Sequence, residues 1–249
     1  MSLRIYELPT EKSNIYQRAV MRQGIFPLHP SVSLFSGKAG SGKSNLMLSL
    51  LSRPEFYGGG DGKRHYFDSI VLMGPTVESD DLYKHLEKQT VQIQSVVDPT
   101  AADIQDVLDY QKQQIKAKGI SSAPRTLAIF EDMQVHSGKN SVMSSQPFLE
   151  CFLANRHNNL SVWLAGQSYT ATPRRCRLQC RGLFYFAGSE SELELISREY
   201  GAPGLSKKDM KEVITHATKT PFSFLYVNMH MPWETRFRKN PDVILKLER

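Results

Sequence analysis

One glycine-rich stretch, residues 37–44, contains the side chains with the clearest chemical role. It fits the pattern G-x-x-x-x-G-K-[ST], in which glycines allow backbone N–H groups to surround a phosphate. In that pattern the lysine, here Lys43, contacts the β- and γ-phosphates of ATP, and the hydroxyl of Ser44 binds Mg²⁺. We therefore predict an ATP site with bound Mg²⁺ at these residues: Gly37, Lys38, Ala39, Gly40, Ser41, Gly42, Lys43, Ser44 and Asn45.

Two acidic residues, Glu131 and Asp132, end a later apolar run that begins at residue 125. In P-loop NTPases a strand of this kind carries a carboxylate that holds Mg²⁺. A second carboxylate beside it can polarise the attacking water. An isolated Glu-Asp pair would more often be the polar end of a strand, but the upstream glycine-rich stretch favours a catalytic interpretation.

Strands and helices alternate along the chain, which predicts an α/β fold with a mainly parallel sheet flanked by helices. Ligands of such sheets bind at the carboxyl ends of the strands. Gly37, the acidic pair and Gln167 each follow a predicted strand, so we expect them to converge on one phosphate. The predicted strands are residues 32–35, 67–73, 91–97, 125–132, 160–166, 183–187 and 222–229, the last paired as a hairpin with 234–239. The predicted helices are residues 14–22, 45–51, 80–88, 103–118, 144–157, 190–200 and 207–219.

The length of 249 residues suits one large α/β domain with additions. We divide the chain into a lead-in segment, residues 1–30, and a P-loop ATPase domain, residues 31–249. A hydrophobic content of 40% and a charged content of 22% are typical of globular proteins with a buried core. No apolar run approaches the ~20 residues of a membrane helix, and the N-terminus lacks the apolar region of a signal peptide. We therefore expect no membrane span and no secretion.

The net charge and the cysteine content predict the kind of partner and the redox compartment of the protein. The net charge of +6 and the pI of about 9.2 favour a polyanionic partner. Three cysteines, Cys151, Cys176 and Cys180, predict buried free thiols in a reducing compartment rather than a disulfide framework. The seven histidines are scattered, and no spacing among them suggests a zinc site.

Three segments of the sequence resemble the genome-packaging ATPases of large DNA viruses and virophages, which belong to the FtsK–HerA class of P-loop motors. The segments are residues 37–44, 127–132 and 155–169, and residues 236–245 are similar to the end of those proteins. The segment 155–169 narrows the family, because a P-loop alone is common to many NTPases. The resemblance runs from about residue 30 to the C-terminus and implies a RecA-like (ASCE) P-loop NTPase fold, to which the predicted C-terminal β-hairpin is an addition.

The resemblance implies a motor that moves double-stranded DNA into a preformed viral capsid at the expense of ATP. It implies a homo-oligomeric ring, hexameric or pentameric, with the capsid vertex or a capsid protein as a further partner. The place of action would be the host-cell cytoplasm or a viral factory, with the virion as an alternative. The basic residues that follow Thr172 would then line a DNA channel or, equally well, form a solvated face.

The resemblance also implies roles for individual side chains. The strand that leads to Gln167 would lie between the P-loop strand and the acidic strand, so that Gln167 senses the γ-phosphate. An arginine just before that strand, Arg156, would act in trans on the nucleotide of a neighbouring subunit, where it stabilises transition-state charge. Arg174 and Arg175 are rival candidates, and a helix C-terminal cation is an alternative interpretation of Arg156.

One departure from the family pattern concerns the acidic pair. The usual order is Asp then Glu, or Asp then Asp, whereas this chain has Glu131 followed by Asp132. By position, Glu131 would hold Mg²⁺ together with Ser44, and Asp132 would act as the base. A register shift of one residue would exchange the two roles, so both assignments stay open here.

Two other functions remain as alternatives. A nucleotide kinase would need a lid and an acceptor site, and no arginine-rich lid motif follows the Gln167 strand. A nucleotide-gated adaptor would bind DNA or capsid without turnover, and the inverted acidic pair keeps that alternative open. DNA-stimulated ATP hydrolysis separates the motor from the kinase, and steady-state ATPase activity separates it from the adaptor.

Overall fold

The computed structural model describes residues 4–9, 25–59, 64–77, 86, 91–133, 141–201 and 204–248. In these ranges the strands, in chain order, are β1 (Arg4–Pro9), β2 (Val32–Ser36), β3 (Ser69–Met73), β4 (Gln92–Val96), β5 (Thr126–Glu131), β6 (Leu160–Gly166), β7 (Gly182–Tyr185), β8 (Leu225–Asn228), β9 (Phe237–Lys239) and β10 (Val243–Glu248). The α-helices are α1 (Lys43–Ser52), α2 (Ala101–Lys118), α3 (Gln146–Leu153), α4 (Arg174–Arg177), α5 (Glu190–Tyr200), α6 (Lys207–Ala217) and α7 (Trp233–Arg236).

Six neighbouring strands form the parallel part of a single sheet, in the order β7-β2-β6-β5-β3-β4. The strand that precedes the glycine-rich stretch, β2, pairs with β6, and β6 pairs with β5. The strand that leads to Gln167 therefore lies between the P-loop strand and the acidic strand, as the resemblance implied. This order confirms the predicted α/β fold and brings the carboxyl ends of β2, β6 and β5 side by side.

Two buried apolar clusters cover the two faces of the sheet. Alternate residues of β3 enter different clusters, because successive side chains of a strand point to opposite faces. Helix α1 packs on one face through Met47, Leu50 and Leu51, and helices α2, α3, α5 and α6 pack on the other. Strands β2, β5 and β6 are consequently buried along their whole length. This double coverage explains why they are continuous apolar runs in the sequence.

An antiparallel extension continues the sheet beyond β7. Strands β8 and β9 pair antiparallel, which confirms the predicted C-terminal hairpin, although residues 233–236 form the short helix α7 instead of strand. Strand β10 then pairs with β9, and β1 pairs with β10 in the register Ile5↔Leu247. Neither β1 nor β10 was predicted. Their pairing joins the two ends of the chain, and so distant a contact leaves no local sequence pattern.

The helices follow the predicted positions with small changes at their ends. Thr100 forms a capping box with Asp103 at the start of α2, and Gly119 ends this helix, as predicted. Helix α3 begins after its N-cap Ser145 and ends at Leu153, four residues earlier than predicted, because the chain turns back there to enter β6. The predicted helix at 14–22 lies outside the described residues, as does the predicted helix at 80–88 except for Leu86.

Two further findings concern cysteines and membranes. All three cysteines are free and buried, as the sequence predicted. Among the described residues, no helix has the length and apolar character that a membrane crossing requires.

Strand β1 lies within the predicted lead-in segment but belongs to the same sheet as the rest of the chain. The division at residue 30 stays a prediction.

Candidate nucleotide-binding site

The glycine-rich stretch connects the end of β2 to the start of α1. Gly42, the last residue before α1, has a φ of 100°, a left-handed conformation that glycine adopts without strain. At Gly37 a Cβ atom would lie 2.6 Å from Cβ of Phe186, so no larger residue fits without displacing that neighbour. The tight turn places the N-terminus of α1, with its partial positive charge, at the end of β2. Such a helix N-terminus is a ready anion-binding site.

The side chain of Lys43 points back into this loop. Its Nζ donates hydrogen bonds to the carbonyl oxygens of Gly37 at 2.7 Å and Lys38 at 3.1 Å, and only 8% of the residue is exposed. Burial lowers the pKa of Lys43, and the negative charges of Asp132 and Glu131 oppose this shift. A buried ammonium group held by neutral carbonyls gains from an anionic partner, since hydrogen bonds between charged groups are the stronger ones.

A hydrogen bond joins the P-loop helix to the acidic strand. The hydroxyl of Ser44 donates to Oε1 of Glu131 at 2.7 Å, although 87 residues separate the two positions. Glu131 is 5% exposed, so its carboxylate belongs to the interior of the site. A serine hydroxyl and a carboxylate oxygen are among the ligands that Mg²⁺ takes in P-loop proteins. The chemistry of this donor pair therefore fits the predicted Mg²⁺ site.

Asp132 leaves the strand in an unusual conformation. Its φ is 49°, in the left-handed region that Asp tolerates better than most residues, and its N–H donates to the carbonyl of Ala165 on β6 at 3.1 Å. Its Oδ1 is buried and has no hydrogen-bond partner among the described residues. Buried polar atoms are nearly always hydrogen-bonded, so an unpaired carboxylate oxygen fits a site that receives a water or a ligand.

Gln167 follows β6 at the same edge, and its side chain is exposed. The next two residues are held by Glu192 of α5, whose Oε1 accepts hydrogen bonds from Ser168 Oγ at 2.8 Å and from the Tyr169 N–H at 2.5 Å. Its Oε2 accepts from the N–H of Ser189 at 3.0 Å. The buried Glu192 carboxylate therefore anchors the segment after Gln167 to α5. The sequence analysis missed this residue, although Ser189-x-x-Glu192 is a capping-box pattern.

Comparison with known proteins agrees with this geometry. The family model for the poxvirus A32 protein matches residues 27–221. The chain belongs to this family. Membership confirms the resemblance to viral genome-packaging ATPases of the FtsK–HerA class. It also confirms the expected class of function, which is ATP hydrolysis that serves DNA packaging.

Several solved structures are similar to the chain. The genome packaging NTPase B204 from Sulfolobus turreted icosahedral virus 2, in complex with AMPPCP, is 15% identical over 87% of this chain and 97% of that chain, with a TM-score of 0.55. The DNA-packaging ATPase B204 from Sulfolobus turreted icosahedral virus is 16% identical over 89% and 98%, with a TM-score of 0.54. EccC (ATPases 2 and 3) from Thermomonospora curvata is 12% identical over 89% and 37%, with a TM-score of 0.51. At these identities the likeness shows the shared fold. Among curated proteins, no sequence matches the chain.

In this packaging ATPase, the basic residues after Thr172 do not share one surface. Arg177 is buried and pairs with Glu199 of α5 through two contacts of 3.0 Å, and the hydroxyl of Tyr169 donates to the same carboxylate at 2.5 Å. Arg177 therefore belongs neither to a channel wall nor to a solvated face. Arg174 and Arg175 on the short helix α4 are exposed and stay available to a partner.

Arg156 lies at the opposite edge of the sheet from the P-loop. It precedes β6, whose seven residues run parallel to β2, whereas Gly37 follows the end of β2. At roughly 3.3 Å per residue, that strand separates the two edges by about 20 Å. Arg156 is exposed and cannot reach the nucleotide site of its own chain. The structure thus brings together Lys43, Ser44, Glu131, Asp132 and Gln167 and keeps Arg156 apart from them.

Proposed function

We propose that the protein hydrolyses ATP at the P-loop edge of its sheet and uses the energy to move double-stranded DNA into a viral capsid. The observation that carries this proposal is the contact between Ser44 and Glu131. The acidic strand lies there against the N-terminus of α1, beside Oδ1 of Asp132, which has no hydrogen-bond partner in the part of the chain that the structure describes. A strand end that met only solvent would not direct two carboxylates onto a helix N-terminus.

The phosphate chemistry follows from the side chains at this edge. Lys43 exchanges the carbonyls of Gly37 and Lys38 for the β- and γ-phosphates, which are better partners for its charge. Ser44 and Glu131 would hold Mg²⁺, which neutralises charge on the phosphates when it is bound. Structures of the B204 protein in complex with AMPPCP and with ATP-gammaS support nucleotide binding by this fold.

The hydrolytic step is assigned to Asp132 and Gln167. Asp132 orients a water and accepts its proton as the water attacks the γ-phosphorus, so that ADP and phosphate are formed. Gln167 senses the γ-phosphate with its exposed amide. Glu192 holds the residues that follow Gln167, so it transmits a movement of that segment to α5.

Assembly into a ring of six or five identical subunits would complete the site. Arg156 cannot act in cis, so we assign it to the nucleotide of the neighbouring subunit, where it stabilises transition-state charge. The net charge of +6 suits contact with DNA phosphates, which weakens as salt rises because counterions are released. The capsid vertex or a capsid protein is the second partner, and the host-cell cytoplasm or viral factory is the place of action.

Steady-state ATPase assays with and without duplex DNA test this proposal. We expect duplex DNA to stimulate hydrolysis by the wild-type protein. Asp132→Asn should bind Mg·ATP but lose about 100-fold or more of the turnover, the typical contribution of a general base. Glu131→Gln should in addition require more Mg²⁺ for half-maximal activity. Asp106→Asn, a substitution of an exposed carboxylate on α2, is the matched control and should behave as wild type.

Three outcomes would contradict parts of the proposal. Exchanged phenotypes of the two acidic variants would exchange their roles. A wild-type protein that binds ATP but never turns it over would be a nucleotide-gated adaptor. Phosphoryl transfer to a nucleotide acceptor, without stimulation by DNA, would indicate a kinase.

A further inference from the structure

An aromatic side chain without a role in the hydrolytic chemistry lies beside the P-loop. Phe222 precedes β8, and its side chain is 72% exposed, more than any other large hydrophobic residue described. Its backbone φ is 62°, in the left-handed region that side chains with a Cβ rarely adopt. Packing in the protein core explains neither feature, because the ring is largely in solvent. Strained, exposed residues of this kind cluster at ligand sites.

The position of the ring is fixed by the turn that contains it. The N–H of Ser223 donates to the carbonyl of Thr220 at 3.0 Å, and the hydroxyl of Ser223 donates to the same carbonyl at 2.6 Å. One residue further along the chain, the N–H of Phe224 donates to Oδ1 of Asn240 at 3.1 Å. The Thr220–Ser223 bonds close the turn around Phe222, and the bond to Asn240 holds the strand entry that follows it, so the backbone of Phe222 is set by the fold.

The ring lies against the residue at which the P-loop becomes α1. A Cβ built at Gly42 would lie 3.5 Å from Cδ1 of Phe222 and 3.7 Å from Cε1 of Phe186. Phosphates bound at the N-terminus of α1 would therefore have the Phe222 ring beside them. Triphosphate, ribose and base form one connected molecule, so the base of a bound nucleotide lies within one nucleotide's length of this place.

A cavity connects the loop to the ring. It has a volume of about 420 Å³ and is lined by residues 38–41 of the P-loop, by Phe186 and Ala187, and by residues 218–223. That volume lies in the usual range for small-molecule sites. Lys38 and Lys219 are the charged residues of its lining, and both suit a phosphorylated ligand. Phe222 supplies an accessible aromatic face.

We infer that Phe222 stacks on the purine base of the bound nucleoside triphosphate, and that residues 218–223 form the base-binding segment of the site. This inference rests on the proposed function, because it needs a triphosphate in the P-loop. Base–aromatic stacking tolerates any flat ring, so it adds affinity without strict base recognition. Two hydroxyls of the segment, those of Thr218 and Ser223, already donate to backbone carbonyls of the fold.

Calorimetric titration of the full chain, in the presence of Mg²⁺, tests the inference with two ligands. One is a slowly hydrolysed ATP analogue, and the other is inorganic tripolyphosphate, measured by its competition with the analogue. Phe222→Asn removes the ring and suits the positive φ. We expect it to weaken binding of the analogue by about 5- to 150-fold, the range for one stacked base, and to leave tripolyphosphate within about twofold. Phe222→Tyr and Tyr110→Ala, an exposed aromatic on α2, should bind both ligands as wild type does.

The outcomes separate this inference from the proposed function. Unchanged affinity of Phe222→Asn for the analogue would overturn the stacking role. Equal loss for both ligands would also overturn it, because it would indicate a disturbed P-loop. A wild-type protein that binds the analogue but does not hydrolyse ATP would refute the proposed motor and leave the stacking role intact. A wild-type protein that binds neither ligand would refute both.

Discussion

Glu192 offers the sharpest test of how the Gln167 segment is held, because one buried carboxylate accepts four hydrogen bonds there. The donors are Ser168 Oγ at 2.8 Å, the Tyr169 N–H at 2.5 Å, the Ser189 N–H at 3.0 Å and, at 3.5 Å, the Tyr185 hydroxyl. Replacement by alanine removes both acceptor oxygens and leaves the N–H groups of Tyr169 and Ser189 without this acceptor, at a residue that is only 5% exposed. The perturbation is therefore local and well defined.

The expected magnitude follows from these contacts. A hydrogen bond to a charged group contributes about 1.5–3 kcal/mol, and water that enters the gap recovers part of the loss. We expect Glu192→Ala to lower the free energy of unfolding by about 3–5 kcal/mol. In a chain of this length that corresponds to a Tm lower by about 6–20 °C. Glu192→Gln keeps a carbonyl acceptor and should lose only about 1–2 kcal/mol.

Urea unfolding and steady-state ATPase kinetics measure the two consequences. Unfolding gives the stability of each variant, with Glu194→Ala as the control, because Glu194 is an exposed residue of the same helix whose carboxylate pairs with Lys211. An exposed ion pair contributes about 0–1 kcal/mol. In the kinetics, Glu192→Gln should lower kcat more than it raises KM for ATP, because the Gln167 segment is loosened while the P-loop is intact.

Two results would refute this reasoning. If Glu192→Ala and Glu194→Ala unfold at the same urea concentration, the buried carboxylate does not hold the segment. If Glu192→Gln changes stability but leaves kcat unaffected, Glu192 stabilises the fold without positioning Gln167.

Two further predictions concern the subunit interface and pH. Arg156→Ala and Lys43→Ala should each be inactive alone, but their mixture should recover part of the DNA-stimulated ATPase activity, since some interfaces then combine an intact Lys43 with an intact Arg156. Burial lowers the pKa of His29 to about 4, and its ring bonds to Ser161 Oγ at 2.8 Å and Asn159 Oδ1 at 3.0 Å. Because the unfolded chain binds the proton more tightly, unfolding free energy should fall by up to ~3 kcal/mol as pH drops from 6.5 to 4.

Controls make these two predictions decisive. For the interface, full activity of Arg156→Ala would remove it as the residue that acts in trans and would favour Arg174 or Arg175. Lys116→Ala, a substitution of an exposed lysine on α2, is the matched control for loss of one positive charge. For the pH dependence, urea unfolding at several pH values should show a weaker decline in His29→Gln. The same decline in both proteins would contradict the assignment to His29.

The sequence by itself determined the elements whose signals are local. The P-loop pattern fixes glycines, lysine and serine within eight residues, and each buried strand of the parallel sheet is a continuous apolar run because helices cover both faces. Gly119 marked the end of helix α2. These signals also predicted Lys43, Ser44, Glu131, Asp132 and Gln167 as site residues, because each follows a strand or opens a helix at the same edge.

Only the tertiary structure decided what depends on contacts between distant parts of the chain. Strands β1 and β10 pair across almost the whole sequence, and the Ser44–Glu131 and Ser168–Glu192 bonds span 87 and 24 residues. Whether a charged residue is exposed or buried depends on such partners. Arg174 and Arg177 lie on the same short helix, but Arg177 is buried against Glu199 whereas Arg174 is exposed. The place of Phe222 beside Gly42 likewise arises because the turn before β8 packs next to the P-loop. Local propensity sets the elements, whereas the free energy of long-range packing and hydrogen bonding sets which of their side chains meet.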